Sequence, residues 1–324
     1  MIINDIEPFN EIYFKGCFYN AFFPICLRLG IPIDFFLFND LILYDENLST
    51  GIEYKSEKTI NDLIIELGIE VSTKYDPNNL VKELRYYISK DIPVILCIDC
   101  FYESIRIDTY QVMHWPHNLL FVGFDDMNEV FYVIEHHYRD GLTYQRRELS
   151  YKEVKAAHAG FIDYFSNLED VPLFMAVNNG VKIESKSKEK FALGYIKRIC
   201  ANQQLIRHHL NNLMKISEKI NKLVLTNLNK EEIMRSLDGI NAIIHGKEAE
   251  IYRLKRLGRT YINLYDYQYN IFQLWCNVRV FLAKYYYSDG KIPLKMGKLG
   301  MILSDIKKNE ESYYQFIYLK YLSS

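Results

Sequence analysis

The stretch that decides the reading runs from His117 to Glu135, HNLLFVGFDDMNEVFYVIE. Two apolar runs, 118–124 and 130–134, flank the polar, turn-prone Asp125-Asp126-Met127-Asn128-Glu129. That pattern predicts a β-hairpin. A histidine opens its first strand and a carboxylate closes the second, so pairing would bring their outer ends, and these two side chains, together. Trp115-Pro116 precedes the histidine. Proline pushes the residue before it into extended geometry, which sets the imidazole where a rigid strand begins. Far upstream, KGCFYNAFFPICLRLG at 15–30 places Cys17 directly after Gly16, ahead of an apolar run of helical length.

These three residue types suit one chemistry. A thiol attacks a carbonyl as thiolate, so it needs its pKa lowered by a helix N-terminus, a nearby imidazolium, or both. The exposed N–H groups of a helix start carry partial positive charge and can also stabilise an oxyanion. His117 would serve as general base, and Glu135 would hold the ring in one tautomer. Asp99 is a rival third member, because it lies in a neighbouring apolar strand where an unpaired acid is costly. Each residue also has a plainer reading: a core cysteine, a histidine at a sheet edge, an acid closing a strand. The order and spacing of the three together point to a cysteine-dependent acyl-transfer enzyme.

Other candidates carry less. Cys26, nine residues into the same apolar run, reads as core. His114 forms an HxxH with His117, but on extended backbone the two rings diverge, so no metal site is expected. Cys97 and Cys100 make a lone CxxC inside VILCIDCFY, a buried-strand pattern without a second module, and neither metal nor redox chemistry is expected there. No phosphate-binding glycine loop is present.

Thirty-nine basic and forty-one acidic residues give a net charge of −2, which excludes the basic footprint of a nucleic-acid binder. The N-terminal MIINDIEPFN has neither a basic nor an apolar signal region, and the apolar runs fall short of a membrane span. Six scattered cysteines suit a reducing compartment. A cytoplasmic protein with no membrane partner is expected.

The fold class expected is α+β. Helical patterns at 17–29, 58–67 and 78–90 are followed by strand patterns at 93–101, 118–124, 130–134 and 172–177. Asp76 or Asn78 could cap the third helix, and Ser150 with Glu153 forms a capping box for a helix over 150–158. After 178 the strands stop. Ile206, Leu210, Leu213, Ile220 and Val224 share one helix face, as do Ile233, Leu237, Ile240 and Ile244. Leu274, Val278, Phe281 and Tyr285 mark a third helix, and 311–322 a fourth. The expected division is a domain over 1–178, a linker over 179–190, and an all-α bundle over 191–324.

With these residues set out, GC-x-NAFF…RLGI around Cys17, DIPVILCIDCFY at 91–102, H-WP-HNLLFVGFDD at 114–126, FYVIE at 131–135 and LSYKEVKAAHAG at 149–160 resemble the N-terminal domain of the butirosin biosynthesis protein H family. That family belongs to the C39-peptidase-like branch of the papain superfamily. The resemblance covers roughly 8–178, and the helical remainder is similar to the family's C-terminal region. It implies a papain-like fold, a Cys17–His117 dyad and a third polar residue at Glu135, where the family more often has aspartate. It implies transfer of an acyl group from the phosphopantetheine thioester of an acyl or peptidyl carrier protein to a small amine, in antibiotic or nonribosomal peptide biosynthesis. No cofactor is needed beyond the phosphopantetheine that the carrier brings.

The family often continues Leu-Pro-Tyr after the position of Tyr102; here Glu103-Ser104-Ile105 follows. The papain oxyanion glutamine has no clear counterpart: Glu11 and Tyr13 stand there, and only Tyr13 could donate. A peptidase or thioesterase with water as acceptor, and a non-catalytic binding module of the same fold, stay open. Lys186, Lys188, Lys190, Lys197 and Arg198 form the densest basic cluster near the boundary, a carrier-docking candidate or a solvated linker.

Overall fold

Phe121 and Val133 stand opposite one another across the expected hairpin, whose strands close at Asp125 and Val130. The structure is a computed structural model and describes residues 1–138, 141–165, 167, 172–178, 188–225, 230–257, 262–288 and 296–321. In chain order its elements are α1 (Cys17–Arg28), α2 (Asp34–Leu37), β1 (Asp40–Tyr44), β2 (Ile52–Ser56), α3 (Ile60–Glu66), β3 (Glu70–Ser72), α4 (Leu80–Ser89), β4 (Val94–Asp99), β5 (Pro116–Asp125), β6 (Val130–Glu135), β7 (Gln145–Ser150), α5 (Tyr151–Phe165), β8 (Phe174–Asn178), α6 (Lys188–Ala201), α7 (Gln203–Leu225), α8 (Lys230–Leu257), α9 (Ile262–Tyr287) and α10 (Met296–Tyr321). Short 3-10 turns precede α4 and follow β4. The chain is mixed α+β, and among the described residues no helix is long and apolar enough to cross a membrane.

The chain divides into two units, and the division corrects the expected one. The first takes Met1–Ile33 and Thr59–Ser185, the second Asp34–Lys58 and Lys186–Ser324. A single cut at 179–190 therefore misassigns 34–58. The reason is local: β1 is buried along its whole length, and Phe38, Leu41, Leu43, Tyr44 and Leu48 pack among the apolar residues of the helices beyond 190. Of the expected linker, 179–187 lies outside the described residues, and 188–190 begins α6.

In the first unit a six-stranded antiparallel sheet has the order β3-β8-β4-β5-β6-β7. Its centre is β4 and β5, in register from Val94↔Phe121 to Asp99↔Pro116. Residues 94–99 and 119–122 are entirely buried, as two-sided cover requires. α1 and α4 pack on β5, and α5 on β4. Strand β7, QRRELS, was not expected: it is a half-exposed edge strand without apolar alternation. The capping box at the start of α5 is present. The Ser150 Oγ accepts from Glu153 N at 3.2 Å, and the Glu153 carboxylate accepts from Ser150 N at 3.1 Å.

The second unit is the β1–β2 hairpin with α2 and the helices α6 to α10. Apolar positions of α7, α8, α9 and α10 share one core that includes Trp275, Ile240, Ile271 and Ile306. A buried polar centre lies within it: Tyr44 donates to Glu310 at 2.6 Å, Lys247 pairs with the same carboxylate, and the Trp275 indole N–H donates to Tyr44 at 3.0 Å.

Candidate active site

The segment ahead of Cys17 is bent sharply. Gly16 N–H donates to the Phe14 carbonyl at 2.6 Å, closing a three-residue turn around Lys15, whose φ is 58°. A lysine held there costs on the order of 1–3 kcal/mol, a strain typical of functional turns. Asn20, buried in the next helical turn, donates its amide to the Phe9 and Ile12 carbonyls at 3.3 and 3.1 Å and ties that segment to α1. Cys17 is then the first residue of the helix, which has no side-chain cap, so the helix start faces its own first residue with its partial positive charge.

From the sheet, β5 brings His117 and β6 brings Glu135. His117 Nε2 lies 2.7 Å from Glu135 Oε2, with the histidine 3% exposed and the glutamate fully buried. The hairpin thus joins its outer ends as the spacing predicted. Glu135 Oε1 also accepts from the His136 backbone N–H at 2.7 Å, and Arg106 Nη1 stands 3.9 Å away. A buried carboxylate needs such donors to stay ionised.

The ionisation states follow from this packing. Burial alone would raise the Cys17 thiol, but the charge and hydrogen bond of His117, with hydrogen bonds from Asn118, bring it down to about 7. Burial would lower His117, yet the charges of Glu135 and Cys17 lift it to about 10. Glu135 is likewise held down against burial, chiefly by His117. The arrangement is a thiolate–imidazolium pair backed by a carboxylate, which suits nucleophilic attack on a carbonyl with a proton donor alongside.

Asp99 belongs elsewhere. Its carboxylate meets His114 Nδ1 at 2.6 Å and accepts the backbone N–H groups of Phe101 and Trp115, both at 3.0 Å. His114 lies between the rings of Phe101 and Tyr164. Asp99 is therefore not the partner of His117, and the cost of burying it is met by a second histidine. Tyr13 is half-buried four residues before Cys17. Tyr144 is raised by burial and then by the charges of Glu135, Cys17 and Tyr13, which puts Tyr13 in the same electrostatic neighbourhood.

Four residues that sequence reading did not single out join the site. Asn118 Nδ2 donates to Cys17 Sγ at 3.4 Å. Asn118 follows His117 directly on β5, and both side chains reach the Cys17 thiol, so the amide carries no sequence signal of its own beside the histidine. Arg106 and Glu103 come from the loop after β4 and are fully buried. Glu103 is pushed up to about 8 by burial and by Glu135, with His117 and Arg106 opposing. His136 Nδ1 lies 2.6 Å from the Gly141 carbonyl, to which it donates, and burial holds the ring neutral, down to about 4. The ligand atoms of His117, Glu135 and His136 lie within 4.8 Å of one another, a spacing a cation could bridge only by displacing the His117 proton.

Of the basic cluster, Lys186 lies outside the described residues and the Lys188 side chain is likewise not described, while Lys190 and Lys197 are exposed. Arg198 is engaged internally. It donates to the Asn39 carbonyl at 2.6 Å and pairs with Glu57 at 3.1 Å, so it is not a free docking charge. The chain matches no family model and no curated protein.

Proposed function

We propose that this protein is a cysteine-dependent acyltransferase of papain-like fold. The observation that carries the reading is the alignment of a half-buried Cys17, at a helix start, with the buried His117 and Glu135. Asn118 and His117 lower the thiol while Glu135 keeps the imidazole charged. Cys17 takes the acyl group from a thioester, and His117 gives its proton to the departing thiolate. An amine then attacks the acyl-cysteine, His117 takes the amine's proton, and the C–S bond breaks to release an amide. Thioester to amide is downhill, so no nucleotide is required.

The donor class comes from the resemblance in the segments around Cys17 and His117: a phosphopantetheine thioester on an acyl or peptidyl carrier protein, in nonribosomal or related antibiotic biosynthesis. The phosphopantetheine travels with that partner. Lys190 and Lys197 remain its docking candidates within the second unit. The test is product analysis with an acyl-pantetheine thioester, with and without a primary amine. Amide formed only with amine supports transfer. Free acid at an undiminished rate in the presence of amine would make the protein a thioesterase or peptidase, and no turnover of any acyl donor would leave a binding module.

A further inference from the structure

We propose that Asn118 is the side-chain donor of the oxyanion site, and that the Cys97 thiol positions its amide. The inference rests on the acyl-transfer reading and deepens it: no glutamine stands ahead of Cys17, whereas the Asn118 amide already contacts its thiol.

Cys97 and Asn118 are directly opposite in the β4–β5 register. Cys97 Sγ donates to Asn118 Oδ1 at 3.4 Å, and Asn118 Nδ2 donates to Cys17 Sγ at 3.4 Å. The amide cannot turn over without setting its oxygen against the thiolate and its N–H₂ against the S–H. Cys97 is 2% exposed, and burial together with the Cys17 charge pushes its thiol up to about 12, so it stays a donor where Cys17 is ionised. Its hydrogen is shared with the Pro172 carbonyl at 3.5 Å. Cys97 and Cys17 are therefore unlike thiols: one is the nucleophile, and the other is held protonated as a fixed donor.

In the first half-reaction the Cys17 thiolate adds to the thioester carbonyl. The new C–S bond forms, and the carbonyl π pair moves onto oxygen. That oxygen is one bond from the carbon now attached to Sγ, within reach of the Asn118 N–H that contacts Sγ at rest. Collapse restores the carbonyl and expels the carrier thiolate, which takes the His117 proton. The same donor serves the tetrahedral intermediate formed by the amine. A single well-placed donor of this kind is worth ~10²–10³ in kcat.

The test uses the full chain and two readouts. One is amide formation from an acyl-pantetheine thioester, and the other is Cys17 alkylation by iodoacetamide, a displacement that develops no oxyanion. Asn118→Ala is expected to lose ~10²–10³ in kcat, with KM and the limiting alkylation rate above about pH 9 both within about threefold of wild type. Asn118→Asp, nearly isosteric, keeps the fold if alanine does not. It should lose at least as much activity and ionise Cys17 at higher pH. Cys97→Ala should lower kcat, and Cys97→Ser, which keeps a donor, should restore it. Equal loss in both readouts, or unchanged kcat in the Asn118 variants, would overturn the oxyanion role. Cys97→Ser and Cys97→Ala behaving alike would overturn the positioning role. A wild-type protein that alkylates normally but transfers no acyl group would remove the acyl-transfer reading itself, and this inference with it.

Discussion

Cys17 and Cys97 show what surroundings do to one residue type. Cys17 is half-buried and Cys97 buried, yet the first is held down by His117 and Asn118 and the second is driven up by burial and by Cys17 itself. Alkylation of Cys17 should therefore rise with pH through about 7. Acyl transfer should rise through the same point and fall through about 10, where His117 loses the proton it must donate. The sign is fixed by the pair: thiolate with imidazolium exists only between the two values. In His117→Ala the opposing charge is gone and burial remains, so the alkylation midpoint should move above about 8.5, the value of an unperturbed cysteine. A midpoint that stayed near 7 would give the lowered thiol to some other cause.

The same scale separates the two buried acids. Glu135→Gln removes the charge that sustains His117 and should slow transfer by ~10–10², partly spared because an amide oxygen can still accept from Nε2. Asp99→Asn touches His114, not His117, and should leave acylation of Cys17 within about twofold. Rates measured on folded variants decide this, and greater damage from Asp99→Asn would return the third place to it.

Among the elements, hairpin β5–β6 and helix α1 were legible because each states its period plainly: an apolar run, a polar turn, another run, and a thiol at the head of an apolar helix. The outer-end argument even fixed which acid His117 meets. Strand β7 was not legible, since an edge strand with charged side chains on both faces has no pattern to read. Asn118 was hidden because an amide beside a histidine in an apolar strand carries no pattern, although both side chains reach Cys17. Arg106 and Glu103 were hidden because the burial of charged side chains in a loop has no sequence signature.

Close approach was hidden too. A Cβ on Gly239 in α8 would sit 1.7 Å from the Leu48 carbonyl oxygen, and one on Gly51 would sit 2.0 Å from the Gly239 carbonyl oxygen, at a φ of 73°. The turn between β1 and β2 thus lies directly on the backbone of α8. Gly239→Ala should destabilise the second unit by about 3 kcal/mol, read as a lower urea midpoint. An unchanged midpoint would mean that the turn lifts off without cost.

For the whole molecule, the discontinuous second unit is the feature the chain order concealed. Residues 34–58 precede the sheet in sequence, yet their apolar side chains belong to the helices beyond 190. A fragment ending at residue 178 leaves Phe38, Leu41, Leu43, Tyr44 and Leu48 without the helices that cover them. It should aggregate, whereas the full chain stays dispersed, a difference that light scattering of the two reads directly. A soluble, well-folded 1–178 fragment would contradict the division.

The central claim is that Cys17 carries the acyl group. Intact-mass spectrometry of the full chain, after brief mixing with an acyl-pantetheine thioester, tests it most directly. The account predicts a single acyl adduct on the chain, lost in Cys17→Ser and discharged to an amide when a primary amine is added. An adduct that persists without Cys17, or wild-type turnover to amide in the Cys17→Ser protein, would contradict it.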